Sequence, residues 1–334
     1  MAASEPLMSV HQFTGDRGSS PINPTLRGRP RVIGGTLRTD TGQIMRGATM
    51  DIRKQANPPC NQQAVWDNYR SLGLNLVRLD VKTDANGSGR AVADQIPFLD
   101  AAVECAAKAR MYVMPLVSIV PGNYDLAQLT AFWSVVAARY KDRTHVFYEM
   151  TNEPVSGGGY WGQANQWTAP KLADLRGIYD IMRAAAPNTH VILFSTTNLA
   201  PNPTSWRAVP QGFEAAGAPI DWSNVSIGFH HYPGTYNFGD PDGFGGIAQM
   251  QAWGYNMFMS ECNDFIWKQG GNDGPSKDPR NSQQVWAWLS TGHDGISHPV
   301  SWVCLDGKSG DVNTQIVPEI IPYLQASGCP LVME

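Results

Sequence analysis

The chain has 334 residues, a formal net charge of −4, 16% charged and 10% aromatic side chains, 33 glycines and 24 prolines. This is the profile of a compact, loop-rich globular protein with chain enough for one large domain, and it excludes a disordered chain or a helical repeat. The absence of any basic run or stripe argues against a nucleic-acid partner, because polyanion binding needs clustered lysine and arginine.

No apolar run approaches the roughly 20 residues needed to cross a bilayer, so no membrane partner is expected. The opening Met1-Ala2-Ala3-Ser4-Glu5-Pro6 lacks a basic n-region followed by an apolar stretch, so no signal peptide is visible. The five cysteines (Cys60, Cys105, Cys262, Cys304 and Cys329) are odd in number and widely spaced, with no CxxC pair and no Cys/His cluster. Free buried thiols are the expectation, with one bridge involving Cys60 as the alternative, and neither a metal centre nor a cofactor is implied.

Residues 1–30 are polar and rich in Gly, Pro and Ser, and read as a strap or partly ordered tail ahead of a single domain over 31–334. Residues 31–48 read as a hairpin turning at Asp40 to Gly42 and running into a further strand, suited to plug the base of a barrel. Helix-period segments then follow at 61–72, 96–109, 126–140, 172–186, 282–290 and 316–326. Between them lie short apolar runs at 44–50, 74–81, 112–119, 145–150, 190–195, 225–230, 257–261 and 300–305. Eight such units predict a (β/α)₈ barrel, because parallel strands need helical crossovers and both faces of their sheet must be covered. The weakest unit is the fifth, where 201–210 reads as a loop and only 212–216 as helical. No GxGxxG or Walker loop supports the rival doubly wound sheet.

Barrels keep their chemistry at the C-terminal strand ends. The fourth strand ends in Thr151-Asn152-Glu153-Pro154, where proline stops the strand and delivers the amide and carboxyl at its tip. The seventh closes on Ser260-Glu261. A lone strand-end carboxylate is more often solvated than catalytic, so the two gain meaning as a pair. On the second strand, alternation places Arg78 and Asp80 on one face. On the sixth it sets His230 and Tyr232 together beside Glu261, as a hydrogen-bonding set that fixes that carboxylate's geometry and charge, with His231 as packing. On the eighth, Trp302 projects with Cys304, as barrel packing or as a stacking surface for a sugar; Cys262, turned opposite to Glu261, then points away from Cys304.

Met45-Arg46-Gly47, Gly73-Leu74-Asn75-Leu76-Val77-Arg78, Thr151-Asn152-Glu153-Pro154, His230-x-Tyr232, Ser260-Glu261 and Trp302, in this order, resemble glycoside hydrolase family 5, the cellulase-type (β/α)₈ retaining glycosidases. The resemblance covers about residues 30–326. It implies Glu153 as acid/base, Glu261 as nucleophile, Asn152 on the sugar 2-hydroxyl, Arg78 and Tyr232 supporting the nucleophile, His230 as a polar site residue and Trp302 as the floor under the sugar. Two departures touch the sugar-binding floor: the third strand carries no histidine, leaving Ser118 or Asn123 in its place, and Asp80 stands where the family often has proline. Loop aromatics Tyr160, Trp161, Trp167 and Trp267 are sugar platforms if exposed and anchors if buried, and residues 236–246 form a glycine-rich loop.

The expected protein is thus a secreted or extracellular, monomeric, metal-free endo-β-1,4-glucanase acting on a polysaccharide or oligosaccharide by double displacement. A β-mannanase or an exo-acting enzyme of the same family is the close alternative. A carbohydrate-binding degenerate barrel is the non-enzymatic one.

Overall fold

The structure, a computed structural model, describes residues 27–52, 58–82, 91–118, 126–154, 167–196, 203–231, 242–262, 265–266, 276–277, 300–305, 310–313 and 316–326. Its centre is a barrel of eight parallel strands: β3 (Arg46–Ile52), β4 (Leu76–Lys82), β5 (Tyr112–Ser118), β6 (Tyr148–Glu149), β7 (Val191–Thr196), β8 (Val225–His231), β9 (Met257–Cys262) and β12 (Ser301–Cys304). The ladder runs β5-β4-β3-β12-β9-β8-β7-β6, and a parallel bridge between Val113 and Val146 closes the ring, while β10 (Phe265–Ile266) and β11 (Ser276–Lys277) pair antiparallel in a sheet of their own. The fold is a (β/α)₈ barrel, with each of the eight predicted strands in its expected place.

The N-terminal segment makes two reversals where the sequence reading placed one. Strands β1 (Arg31–Ile33) and β2 (Thr36–Arg38) pair antiparallel around Gly34 and Gly35, whose φ values of 59° and 71° suit a tight hairpin turn and favour glycine. The expected reversal at Asp40 to Gly42 follows, held by the Arg38–Ile44 bridge and the Thr39 N–H donating to the Gln43 carbonyl at 2.9 Å. The hairpin docks on the barrel base, where Thr36 registers with Met257 and the Tyr112 hydroxyl donates to the Gly28 carbonyl at 2.9 Å.

Alternation along the strands divides the core in two. Leu76, Tyr112, Met114, Phe147, Ile192, Phe258 and Val303, joined by Leu37 and Met45, fill the barrel's lower interior. Their sequence neighbours face outward against the helices α1 (Gln63–Ser71), α2 (Val92–Ala109), α3 (Leu126–Tyr140) and α4 (Ala169–Ala185). Each helix turns its apolar stripe inward, as with Leu129, Phe132, Trp133 and Val136 of α3.

Two helices depart from the sequence reading. Helix α5 spans Pro203–Ala215 although Pro210 lies within it. Pro203 fits a first helical position that needs no N–H donor, and burial of Val209 and Phe213 at ~1.5–3 kcal/mol each offsets the ~3 kcal/mol that an interior proline costs. Helix α6 (Asp242–Ala252) begins in the stretch read as a glycine-rich loop; buried Ile247 and Met250 hold it to the barrel against the poor helix propensity of its glycines. The chain closes with a π-helical turn (Ile316–Ile320) and α7 (Ile321–Ala326). The expected helix at 282–290 lies outside the described residues. Among the described residues no helix is long and apolar enough to cross a membrane.

Gly228 of β8 sits inside this packing. A Cβ there would meet Ile192 Cγ2 at 2.7 Å, so Gly228→Ala is expected to lower stability by ~1–3 kcal/mol, read from the urea midpoint at unchanged slope.

Candidate active site

Above the apolar base the barrel interior turns ionic. Arg78 (β4), Glu149 (β6), His230 (β8) and Ser260 (β9) are each 0% exposed, while Glu153 at 5% and Glu261 at 8% reach the mouth. Arg78 is the hub. Its Nε donates to Glu149 Oε2 at 2.6 Å, Nη1 to Glu261 Oε2 at 2.6 Å, and Nη2 to Asn152 Oδ1 at 2.8 Å. Three acceptors around one plane suit the guanidinium fork, which a point-charge ammonium cannot match. Burial opposes its charge, yet the Glu149 and Glu261 charges outweigh that and raise Arg78 above its ordinary pKa.

Local structure explains how the carboxyls arrive. Glu153 follows the short β6, whose chain continues by Met150 N–H to the Ile192 carbonyl and Asn152 N–H to the Val117 carbonyl, both on neighbouring strands. Its φ of 39° lies in the left-handed region, which costs a side-chain-bearing residue ~1–2 kcal/mol and marks a strained strand tip just before Pro154. Glu261 depends on a bulge. Phe229 registers with Met259 but His230 registers with Glu261, so β9 holds one extra residue, and that residue brings Glu261 to the inner side.

His230 joins the two halves. Its Nδ1 lies 2.7 Å from Glu153 Oε1, its Nε2 lies 3.9 Å from Glu149 Oε1, and the Phe194 ring packs edge-on at 4.8 Å. Burial disfavours the charged ring, but the charge of Glu261 and the adjoining Glu149 and Glu153 carboxyls override it and push His230 up to about 9. A charged ring has N–H on both nitrogens, so Nδ1 donates to Glu153. The 3.5 Å approach of Nε2 to Arg78 Nη2 is then a like-charge contact, tolerated because Glu149 flanks both groups. Glu149 itself is drawn below its usual range: burial alone would raise it, and Arg78 wins.

One donor atom each from Glu153, His230 and Glu261 lies within 4.8 Å of the others. A divalent ion there would have to displace the pairings with Arg78 and the His230 proton, so the donor set suits proton transfer better than metal binding. An approach of one oxygen from each carboxyl to within 4.8 Å suits the ~5–5.5 Å spacing of retaining glycosidases better than the ~6.5–9.5 Å of inverting ones.

A family model for cellulases, glycosyl hydrolase family 5, matches residues 39–289. The chain belongs to glycoside hydrolase family 5. Relatives include Endoglucanase A of Butyrivibrio fibrisolvens, 26% identical over 236 residues that cover 60% of this chain and 50% of that protein. An endoglucanase of Clostridium saccharobutylicum is 25% identical over 268 residues, 76% of this chain and 54% of the relative. The chain therefore spans about half the length of these relatives. Among solved structures, a halotolerant family 5 cellulase from an Icelandic hot spring isolate superposes with a TM-score of 0.65 at 19% identity, covering 92% of this chain and 97% of that one. The catalytic domain of Thermobifida fusca endoglucanase Cel5A in complex with cellotetraose gives 0.59 at 18% identity, covering 85% and 88%.

The family 5 barrel brings together Arg78, Asn152, Glu153, His230 and Glu261 as the strand alternation and family resemblance led one to expect. Trp302 is a correction. It is 1% exposed and lies with Cys304 in the outer core layer, while Val303 between them faces inward, so Trp302 packs the barrel wall and is no floor for a sugar. The half-exposed Leu305 stands in the inward phase at the tip of β12. The same phase corrects the cysteines: Cys262 and Cys304 register as neighbours on adjacent strands and both lie in the outer layer, and neither they nor Cys60 and Cys105 form a disulfide among the described residues. Trp167 packs against the main core as an anchor. Tyr160, Trp161, Tyr232, Trp267, Asn123 and Cys329 lie outside the described residues.

The sequence reading missed Glu149. A carboxylate inside the apolar run Val146-Phe147-Tyr148-Glu149-Met150, in phase with inward Phe147, needs a buried cation, and that was the available signal. Asp51, registered against Asp80 and buried with it at the ends of β3 and β4, was missed too.

Two further histidines contribute to the pH dependence of stability. Burial pushes His190 down to about 3 and lowers His145 as well. Below the ordinary histidine value of ~6.5 the unfolded chain takes up protons that these folded rings refuse, so stability falls toward pH ~3 by up to ~1.4 kcal/mol per pH unit for His190. His230 acts oppositely, since its contribution is complete below pH ~6.5 and is lost as pH rises through about 9. Denaturation midpoints across pH should form a dome, with a shallower acid limb in His190→Gln.

Proposed function

We propose that this family 5 chain is a retaining endo-β-1,4-glucanase working outside the cell on a cellulose-type or mixed-linkage glucan. The observation that carries the reading is the close Glu153 and Glu261 pair with opposite environments: Glu261 held by a buried cation, Glu153 bonded through one oxygen to His230. With Oε2 of Glu261 fixed by Arg78, Oε1 is the oxygen assigned to attack the anomeric carbon. With Oε1 of Glu153 taken by His230, Oε2 is assigned the proton that passes to the leaving oxygen. The covalent glycosyl-enzyme then yields to a water whose proton returns to Glu153, restoring both groups. Asn152, its amide oxygen committed to Arg78, offers its NH₂ donors to the sugar 2-hydroxyl.

The glucan preference is supported by the names of the two relatives, both endoglucanases. The test is digestion of β-1,4-glucan, mixed-linkage glucan, mannan, xylan and aryl glycosides, with product lengths and the first-formed anomer followed by NMR. Cello-oligosaccharides of several lengths, released first as the β-anomer, are expected. An α-anomer first would overturn double displacement, and cleavage of mannan alone would overturn the substrate.

A further inference from the structure

We propose that Glu149, buried beneath the acid and nucleophile pair, is a positioning residue for both: it anchors the Arg78 guanidinium that holds Glu261, and it supplies the counter-charge that keeps His230 bonded to Glu153 in its doubly protonated form. The inference rests on the double-displacement reading of the site.

Glu149 is 0% exposed, so no sugar reaches it. Its effects run through its neighbours. Arg78 has three acceptors, and two of them, Glu261 and Asn152, are groups it must orient toward substrate. The 2.6 Å bond from Nε to Glu149 Oε2 fixes the guanidinium from beneath, independently of the groups it serves. Without that bond the plane is free to turn about its remaining contacts, and Glu261 turns with it.

The second arm is electrostatic. Among the described residues, those facing His230 include Glu149 and Glu153 from the fourth barrel strand and its tip, Glu261 from β9, Arg78 from β4 and the neutral Phe194 ring from β7. Asp80 adds its charge at Arg78. The positive charges of Arg78 and His230 thus face the carboxylates of Glu149, Glu261 and Asp80. Removing the Glu149 charge takes away the carboxylate that Arg78 and His230 share, in a water-poor interior. His230, the weaker base of the two, gives up its proton first. Nδ1 and Glu153 Oε1 then compete for the proton that catalysis needs on Glu153.

The experiment is Glu149→Gln, which keeps an acceptor for Arg78 Nε and removes the charge. In the substrate-free protein, NMR titration of His230 is expected to move from about 9 in the wild type toward its ordinary value. On soluble β-1,4-glucan kcat should fall roughly 10²-fold with KM within about 3-fold, since the loss lies in transition-state stabilisation. An unmoved His230 titration, or an unchanged kcat, overturns the proposal; a purely structural ion pair would lower the melting temperature and move neither. Should Glu149→Gln fail to fold, Glu149→Asp decides, because it keeps the charge and shortens the reach. Reduced kcat with the His230 titration near wild type supports positioning, and wild-type kcat overturns it. A wild-type chain silent on every glucan defeats the substrate reading alone, because the titration is read without substrate.

Discussion

Glu261→Gln is expected to lower the release of reducing sugar by at least about four orders of magnitude, equivalent to ~5.5 kcal/mol of transition-state stabilisation, while oligosaccharide binding by calorimetry stays near wild type. The amide still accepts from Arg78, so the site keeps its shape, but the neutral oxygen cannot form the glycosyl ester. Only the reacting bond is lost. The paired variant, Glu153→Gln, removes the general acid and should cost ~10²–10⁴-fold on glucan. An aryl glycoside with an acidic leaving group needs little protonation, so Glu153→Gln should form its covalent intermediate readily and hydrolyse it slowly, visible as a mass increase of one glycosyl unit. An unchanged rate in Glu261→Gln would remove Glu261 as nucleophile; retained binding with no turnover in the wild type itself would favour a sugar-binding barrel.

Arg78 carries the second large effect. Arg78→Met leaves Glu149 and Glu261 without their shared cation, one fully buried and the other nearly so, and is expected to cost ~3–5 kcal/mol of stability, seen as a lower urea midpoint. Arg78→Lys separates charge from shape. An ammonium keeps the positive charge but cannot span Glu149, Glu261 and Asn152 together, so this variant should fold and still lose about 10²-fold or more in kcat. Wild-type turnover in Arg78→Lys would show that the fork geometry is dispensable. Losses in stability here report the folded cluster, whereas losses in kcat report its orientation, and the two variants separate them.

Hydrophobic patterning made the barrel legible, since each inward or outward face of a parallel strand repeats every second residue and each helix shows its own stripe. The Thr151-Asn152-Glu153-Pro154 tip and the shared face of Arg78 and Asp80 were readable for the same reason. Where the pattern was weak the reading failed. Prolines hid α5 and glycines hid the start of α6, because packing of Val209, Phe213, Ile247 and Met250 overrides local propensity.

What the sequence by itself determined, then, is the order of strands and helices and the residue types at the strand tips, because these follow from local periodicity and from proline's inability to continue a strand. The tertiary structure decided which faces meet. The bulge at Ser260 brings Glu261 inward, and the phase of β12 turns Trp302 into the wall; register between strands far apart in the chain leaves no local mark. It also decided that Glu149 would share Arg78 with Glu261 and face His230. A buried charge in an apolar strand announces that it must be paired, but only ring closure chooses its partners.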